Sequence, residues 1–264
     1  MDIKTVDING WPIEYIDSGE TGAPPLLLLS GWAQDHRLFR HVEPYLAQRF
    51  RVIRMNFRGH DAKLTPGDFT SADLADDTVE FIDRLGLRNV AIASTSHGCW
   101  VNIEVHEKLG SASLGRTVVI DWLLRPFEAF HKQIHDGSRP ETVTAARQSL
   151  FDEWTEGTDV LDVLDHVNRE MTWFGEDMWM RACREIAKSY NQWQNPLERM
   201  SELADRLRVT HIYSQPLDPG YRQFQQDYAG VNPWFSSVHI PAKTHFPTLE
   251  SPKPVADAIA SFYS

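Results

Sequence analysis

The chain has 264 residues, 42% of them hydrophobic and 24% charged, with a formal net charge of −11. That length buries one large core with room for a smaller subdomain, and the acidic balance argues against nucleic acid or an anionic membrane as partner. No apolar run approaches the roughly 18 residues that span a bilayer. MDIKTVDING lacks the apolar centre of an export signal, and the only two cysteines, Cys99 and Cys183, are then expected to stay reduced. The expectation is a cytoplasmic protein that acts on a small molecule, with no protein partner inferred.

Residues 2–8 and 12–17 alternate around Asn9-Gly10, a hairpin signal. Pro25-Leu26-Leu27-Leu28-Leu29 runs into Ser30-Gly31-Trp32, the pattern of a parallel strand buried on both faces. Residues 50–56 read as the next strand, turning at Phe57-Arg58-Gly59-His60. Leu74, Val79, Phe81, Ile82 and Leu85 predict an amphipathic helix over 72–86, closed by Gly86. Asn89-Val90-Ala91-Ile92-Ala93 is a short strand, and beyond it Val101, Val105 and Leu109 recur at helical spacing. Arg116 to Asp121 is a strand ending in an acid. Residues 126–206 then change character. They hold helical patterns, no clear strand and many large rings: Phe127, Phe130, Phe151, Trp154, Trp173, Phe174, Trp179 and Trp193. The strand–helix rhythm resumes with a strand at 209–214, a helix near 219–229, a strand near 234–240 and a helix near 252–263. Alternating strands and helices predict an α/β fold, a mostly parallel sheet with helices on both faces. The core is expected at 1–125 and 207–264. The aromatic block at 126–206 is expected as a helical cap, a lid over the carboxyl ends of the strands, where ligands bind in such sheets.

The junction Ser94-Thr95-Ser96-His97-Gly98 lies between a strand and a helix and differs by one residue from the G-x-S-x-G nucleophile elbow. Taken alone it reads as a serine-rich helix start with Ser96 as N-cap. The rest of the chain favours the elbow. Asp121 ends the following strand, and His245 follows the last one, giving the order Ser…Asp…His of α/β-hydrolases. The residue types suit the chemistry, because an imidazole takes and returns a proton near neutrality and a buried carboxylate fixes its tautomer. Asp218, one strand later, competes for the acid's role. Its neighbours Pro216, Pro219 and Gly220 suggest a solvated turn, whereas Ile120 and Trp122 suggest that Asp121 is held out of water. The amides of Trp32 and His97 are the expected oxyanion donors. His106 and His211 read as packed, and His97 as a ligand contact. No H-x-x-x-H or C-x-x-C spacing supports a metal site.

Several stretches go beyond the general hydrolase pattern: Leu27-Leu28-Leu29-Ser30-Gly31-Trp32, Asp35-His36-Arg37, Val52 to His60, Ser96-His97-Gly98, Asp121-Trp122-Leu123, Leu150-Phe151-Asp152-Glu153-Trp154, Ser214-Gln215-Pro216, Pro233-Trp234-Phe235-Ser236 and Thr244-His245-Phe246-Pro247. Together they resemble the cofactor-independent 3-hydroxy-4(1H)-quinolone 2,4-dioxygenases of the α/β-hydrolase fold. The resemblance implies ring cleavage with O2 and release of carbon monoxide, and neither a metal nor an organic cofactor. It implies that His245 takes the 3-hydroxyl proton, that Asp121 supports it, and that Ser96 binds substrate without being acylated. Trp32, Gln34, His36, His97 and Trp154 are the residues expected around the substrate and oxygen. Gln34 and Thr95 depart from the group's pattern, standing in place of histidines. Two other readings share these residues: a serine esterase or C–C-bond hydrolase with Ser96 as nucleophile, and a ligand receptor on a hydrolase scaffold. Oxygen consumption distinguishes the first, and tight binding without turnover the second.

Overall fold

In the computed structural model, which describes residues 2–264, one eight-stranded sheet runs in the order β1-β2-β4-β3-β5-β6-β7-β8. β1 (Lys4–Ile8) and β2 (Trp11–Ser18) form a hairpin through Asn9 and Gly10, both at positive φ, as the Asn-Gly turn requires. β2 pairs antiparallel with β4 (Arg51–Met55). All the other pairings, among β3 (Pro25–Leu29), β4, β5 (Ala91–Thr95), β6 (Arg116–Ile120), β7 (Arg208–Tyr213) and β8 (Phe235–His239), are parallel. The apolar runs of β3, β5 and β6 are buried because helices cover the sheet. α1 (Glu43–Leu46) packs on the C-terminal α11 (Pro252–Phe262), and α2 (Ser71–Arg84) packs on α3 (Gly98–Leu109). α2 starts at a reciprocal cap between Thr70 and Asp73 and buries Leu74, Phe81 and Ile82. Among the described residues no helix is long and apolar enough to cross a membrane.

Five helices stand between β6 and β7: α4 (Glu128–Gly137), α5 (Val143–Thr155), α6 (Leu161–Asp165), α7 (Gly175–Trp193) and α8 (Pro196–Ser201). α4 and α7 approach closely at Gly137, where a Cβ would lie 2.6 Å from Cys183 Sγ. Ion pairs tie this layer to the sheet domain: Arg40 to Glu170 (3.1 Å) and Asp162 (3.2 Å), and Arg37 to Glu170 (3.7 Å). The aromatic residues of the block do not all turn inward. Trp173 is 58% exposed, whereas Phe151, Phe174 and Trp179 are buried. α9 (Pro219–Val231) lies between β7 and β8, and the short α10 (Pro247–Glu250) follows β8.

The topology fixes where a ligand can sit. The chain adds β4 on one side of β3 and β5 on the other, so the connections leave β3 and β5 in opposite directions and open a crevice at their carboxyl ends. α3 starts directly against the end of β3: a Cβ on Gly98 would lie 2.2 Å from the Ser30 carbonyl oxygen. Gly98→Ala is therefore expected to lower stability by about 1–3 kcal/mol through overpacking. A wild-type urea midpoint in that variant would show that the helix start shifts freely.

Candidate active site

Ser96 leaves β5 at φ +49°, and its N–H donates to the Ile120 carbonyl (2.8 Å). The non-glycine left-handed residue lifts the hydroxyl off the sheet edge as α3 begins. The residue that replaces the elbow's first glycine is put to use: Ser94 Oγ accepts from Asn102 Nδ2 (2.7 Å), which also donates to Thr117 Oγ1 (2.8 Å). This buried link joins α3 to β5 and β6.

Asp121 follows β6, also in the left-handed region (φ +47°), with its N–H on the Ile212 carbonyl (2.8 Å). Its Oδ1 accepts from the amides of Ser214 (2.8 Å) and Gln215 (3.1 Å). Ser214 Oγ bridges Asp121 Oδ2 (3.0 Å) and the Thr244 carbonyl (2.7 Å). His245 then stands between the acid and the serine, Nδ1 3.4 Å from Asp121 Oδ2 and Nε2 3.0 Å from Ser96 Oγ. The rival acid is engaged elsewhere: Asp218 caps α9, accepting from the amides of Gly220 (3.2 Å) and Tyr221 (3.1 Å).

A cavity of ≈ 240 Å³ opens over these three residues. Trp32, Gln34, His97 and Trp154 line it. Trp154 lies nearly parallel to the His245 ring, centroids 5.3 Å apart at 19°, and Trp32 meets His97 edge-on at 4.7 Å. Gln34 is oriented by accepting the Gly31 N–H at Oε1 (3.0 Å). His36 is not brought to the cavity. It opens the short turn His36–Phe39, where its N–H donates to Asn56 Oδ1 (2.8 Å) and its Nδ1 lies 3.1 Å from the same oxygen, so the expectation that it contacts substrate is corrected. Sequence reasoning missed Trp100, Trp122 and the stripe Trp179, Ala182, Cys183, Ile186 and Tyr190, all of which line the cavity. The stripe was detectable, since three- and four-residue steps put these positions on one face of α7.

The lining is mostly apolar, with Asp121, Glu153 and Lys243 as charged members and a few donors left without partners. Burial pushes the His97 imidazole down to about 3, so it is neutral. Neither of its ring nitrogens has a partner, nor have the indole nitrogens of Trp32, Trp100, Trp122 and Trp179. Among the described residues, the backbone amides of Trp32 and His97 have no hydrogen-bond acceptor either. In an apolar setting such groups gain most from an oxygen-bearing ligand. Among the described residues no three His, Cys, Asp or Glu side chains are grouped to hold a metal ion. What the geometry can do is take a proton at His245 Nε2, balance the resulting imidazolium with Asp121 at Nδ1, and receive developing negative charge on oxygen near the two amides.

A mostly parallel sheet carrying Ser, Asp and His at the ends of β5, β6 and β8, with helices inserted above them, defines the α/β-hydrolase class. Residues 26–258 match the model of the alpha/beta hydrolase family. The chain is 52% identical over 261 residues to the 1H-3-hydroxy-4-oxoquinoline 2,4-dioxygenase of Pseudomonas putida, covering 98% of this chain and 99% of that one. It is 34% identical over 259 residues to the 2-heptyl-3-hydroxy-4-quinolone dioxygenase AqdC2 of Rhodococcus erythropolis, covering 97% and 96%. The solved structure of 1H-3-hydroxy-4-oxoquinoline 2,4-dioxygenase superposes with a TM-score of 0.96 at 51% identity, covering 99% of this chain and 100% of that one. An AqdC variant in complex with its substrate superposes at 0.94 with 33% identity, covering 99% of both chains. The chain belongs to the alpha/beta hydrolase family and, within it, to the quinolone 2,4-dioxygenases.

Burial has a consequence for stability. It pushes the imidazoles of His60 and His211 down to about 4 and those of His97 and His106 down to about 3, from 6.5. The unfolded chain therefore binds more protons than the folded one as pH falls below 6.5. The stability these groups confer is complete above that pH and drains away towards pH 4 to 3, each adding up to about 1.4 kcal/mol per pH unit. Urea midpoints should fall steeply from pH 6.5 to 4, and less steeply in His106→Gln, which lies away from the cavity. An equal slope in that variant would show that His106 is already protonated in the folded protein.

Proposed function

We propose that the protein cleaves the heterocyclic ring of 3-hydroxy-4(1H)-quinolones, with hydrogen, methyl or a longer alkyl group at C2, using O2 and giving an N-acylanthranilate and carbon monoxide. The observation that carries this reading is the full-length likeness to quinolone dioxygenases. His245 Nε2 takes the 3-hydroxyl proton. Asp121 holds the imidazole through Nδ1–H and balances the imidazolium. Ser96 Oγ, 3.0 Å from Nε2, binds the substrate oxygen that loses the proton. The Trp32 and His97 amides, with the His97 ring and Gln34, contact the oxygens on which charge develops. Trp154 walls the ring and keeps water from His245.

Deprotonation is the step the chemistry needs. Triplet O2 reacts poorly with closed-shell molecules, but an electron-rich 3-oxido-quinolone anion transfers one electron to it, and the two radicals then combine at C2. The resulting peroxide attacks C4. The bridged intermediate breaks its C2–C3, C3–C4 and O–O bonds, and C3 leaves as carbon monoxide. The substrate itself supplies the electrons that a redox cofactor supplies elsewhere. An apolar, enclosed chamber suits this sequence, since water would protonate the anion and quench the peroxide.

The deciding measurement is carbon monoxide release from 3-hydroxy-4(1H)-quinolones, under air and under argon. Ser96→Ala should keep appreciable turnover, because no covalent bond forms there; a loss of ~10⁴-fold or more would move the reading to a serine hydrolase. His245→Ala should lose about 10²–10⁴-fold, and the deficit should shrink as pH rises and solvent ionises the substrate directly. A deficit that stays constant from pH 6 to about pH 10 would remove His245 from the role of base.

A further inference from the structure

His211 lies on β7, is fully buried and does not line the cavity. Its Nε2 lies 3.2 Å from the backbone N of Trp122, and its Nδ1 lies 2.7 Å from Gln225 Oε1 on α9. A backbone N–H can only donate, so Nε2 must accept, Nδ1 must carry the proton, and Gln225 must present its oxygen. Tyr213 stacks on the ring from the same strand (5.2 Å, 14°). The remaining titratable group facing it is Asp121, at the end of the adjacent strand. The peptide that His211 holds joins Asp121 to Trp122, so its orientation sets ψ of the acid, whose φ is +47°. The next two residues are held as well. The Leu123 carbonyl accepts from Tyr190 of α7 (2.8 Å), and the Leu124 N–H donates to Tyr221 of α9 (3.0 Å). Of these three anchors, His211 is the one adjacent to the acid.

We propose that His211, locked in one tautomer by Gln225, is a positioning residue for Asp121: by accepting the Trp122 N–H it fixes the strained turn that aims the carboxylate at His245. A non-glycine residue keeps a left-handed conformation only while its surroundings over-determine it. Without the His211 acceptor the turn loosens on the Trp122 side, and the Asp121 carboxylate, still held by Ser214 and Gln215, loses its fixed alignment with His245 Nδ1. Protonation of His211 would have the same effect, because imidazolium cannot accept from Trp122.

The inference rests on the reading of His245 and Asp121 as the proton-accepting pair, and the test separates the two. The variants are His211→Phe, which keeps a ring but removes the acceptor, Gln225→Leu, which leaves the imidazole but frees its tautomer, and Asp121→Asn as reference. Melting temperature, kcat, KM and the pH profile of kcat/KM are measured for each with 3-hydroxy-4(1H)-quinolone. The expected result is that all three lower kcat, His211→Phe by roughly 10-fold or more, with KM changed less than about twofold, and that the acid limb of kcat/KM moves to lower pH. Gln225→Leu should fall between His211→Phe and wild type. It also keeps the question open to measurement if His211→Phe fails to fold. If Asp121→Asn moves the acid limb and neither His211→Phe nor Gln225→Leu does, whatever their melting temperatures, His211 is merely structural and the proposal is overturned. If Asp121→Asn leaves the limb in place, the pair itself is misread, and the proposal fails with it.

Discussion

Three neighbouring strand ends leave this sheet through a non-glycine residue in the left-handed region: Ala33 after β3 (φ +56°), Ser96 after β5 (φ +49°) and Asp121 after β6 (φ +47°). Each such residue costs about 1–3 kcal/mol and persists only where its surroundings over-determine it. Here the surroundings are hydrogen bonds to buried partners. The Ala33 N–H donates to His60 Nε2 (3.2 Å), the Ser96 N–H to the Ile120 carbonyl (2.8 Å), and the Asp121 N–H to the Ile212 carbonyl (2.8 Å). The strain explains the arrangement of the site. A strand that ran on in extended geometry would carry its side chains past the sheet edge in alternation. A left-handed residue directly after β5 and β6 redirects the chain sharply and brings the Ser96 hydroxyl and the Asp121 carboxylate to one crevice, while Ala33, past the end of β3, turns the chain just after Trp32.

At two of these three turns a buried neutral histidine accepts a backbone amide: His60 that of Ala33 and His211 that of Trp122. His60 repeats the logic of a tautomer fixed by backbone: its Nε2 accepts from Ala33, and its Nδ1–H donates to the Arg58 carbonyl (3.0 Å). Burial keeps it uncharged, at about 4. A serine or threonine hydroxyl can also accept from an amide, but it rotates, whereas an imidazole presents one acceptor and one donor in fixed opposition. The same property makes the scaffold acid-sensitive, because protonation turns each acceptor into a donor facing a donor. The sheet domain thus gains rigidity near neutral pH from groups that weaken it in acid.

The fold was legible in the sequence because its signals are local. Doubly buried strands announce themselves as apolar runs, the hairpin as Asn-Gly, and α2 as an apolar stripe closed by Gly86. The order Ser96, Asp121, His245 was legible for the same reason, since each residue sits at the end of a recognisable strand. What was not legible depends on contacts between distant segments. His36 neighbours the cavity residues in sequence, yet Asn56, twenty positions on, captures both its amide and its ring. Trp173 shares the aromatic character of its block, yet the short turn Thr172–Phe174 leaves it facing solvent. The pairing of His211 with Gln225 and Trp122 joins three elements that no periodicity links.

The Ser96–His245–Asp121 geometry does not by itself choose between hydrolysis and oxygenation, since both need a base at Nε2 and amides near a developing oxyanion. The walls make the difference. Hydrolysis requires water at the reacting carbon in its second step, whereas an oxidised organic anion survives only where water is kept out. The cavity is lined by Trp32, Trp100, Trp122, Trp154 and Trp179 together with Phe130 and Tyr190, and Trp154 covers one face of the base. Tryptophan combines a wide apolar face with one N–H donor. Such a lining excludes bulk water and still offers directed donors to a flat heterocycle that carries several oxygens. Under the proposed function, a hydrolase constellation would serve deprotonation through what surrounds the serine, with the serine itself unchanged.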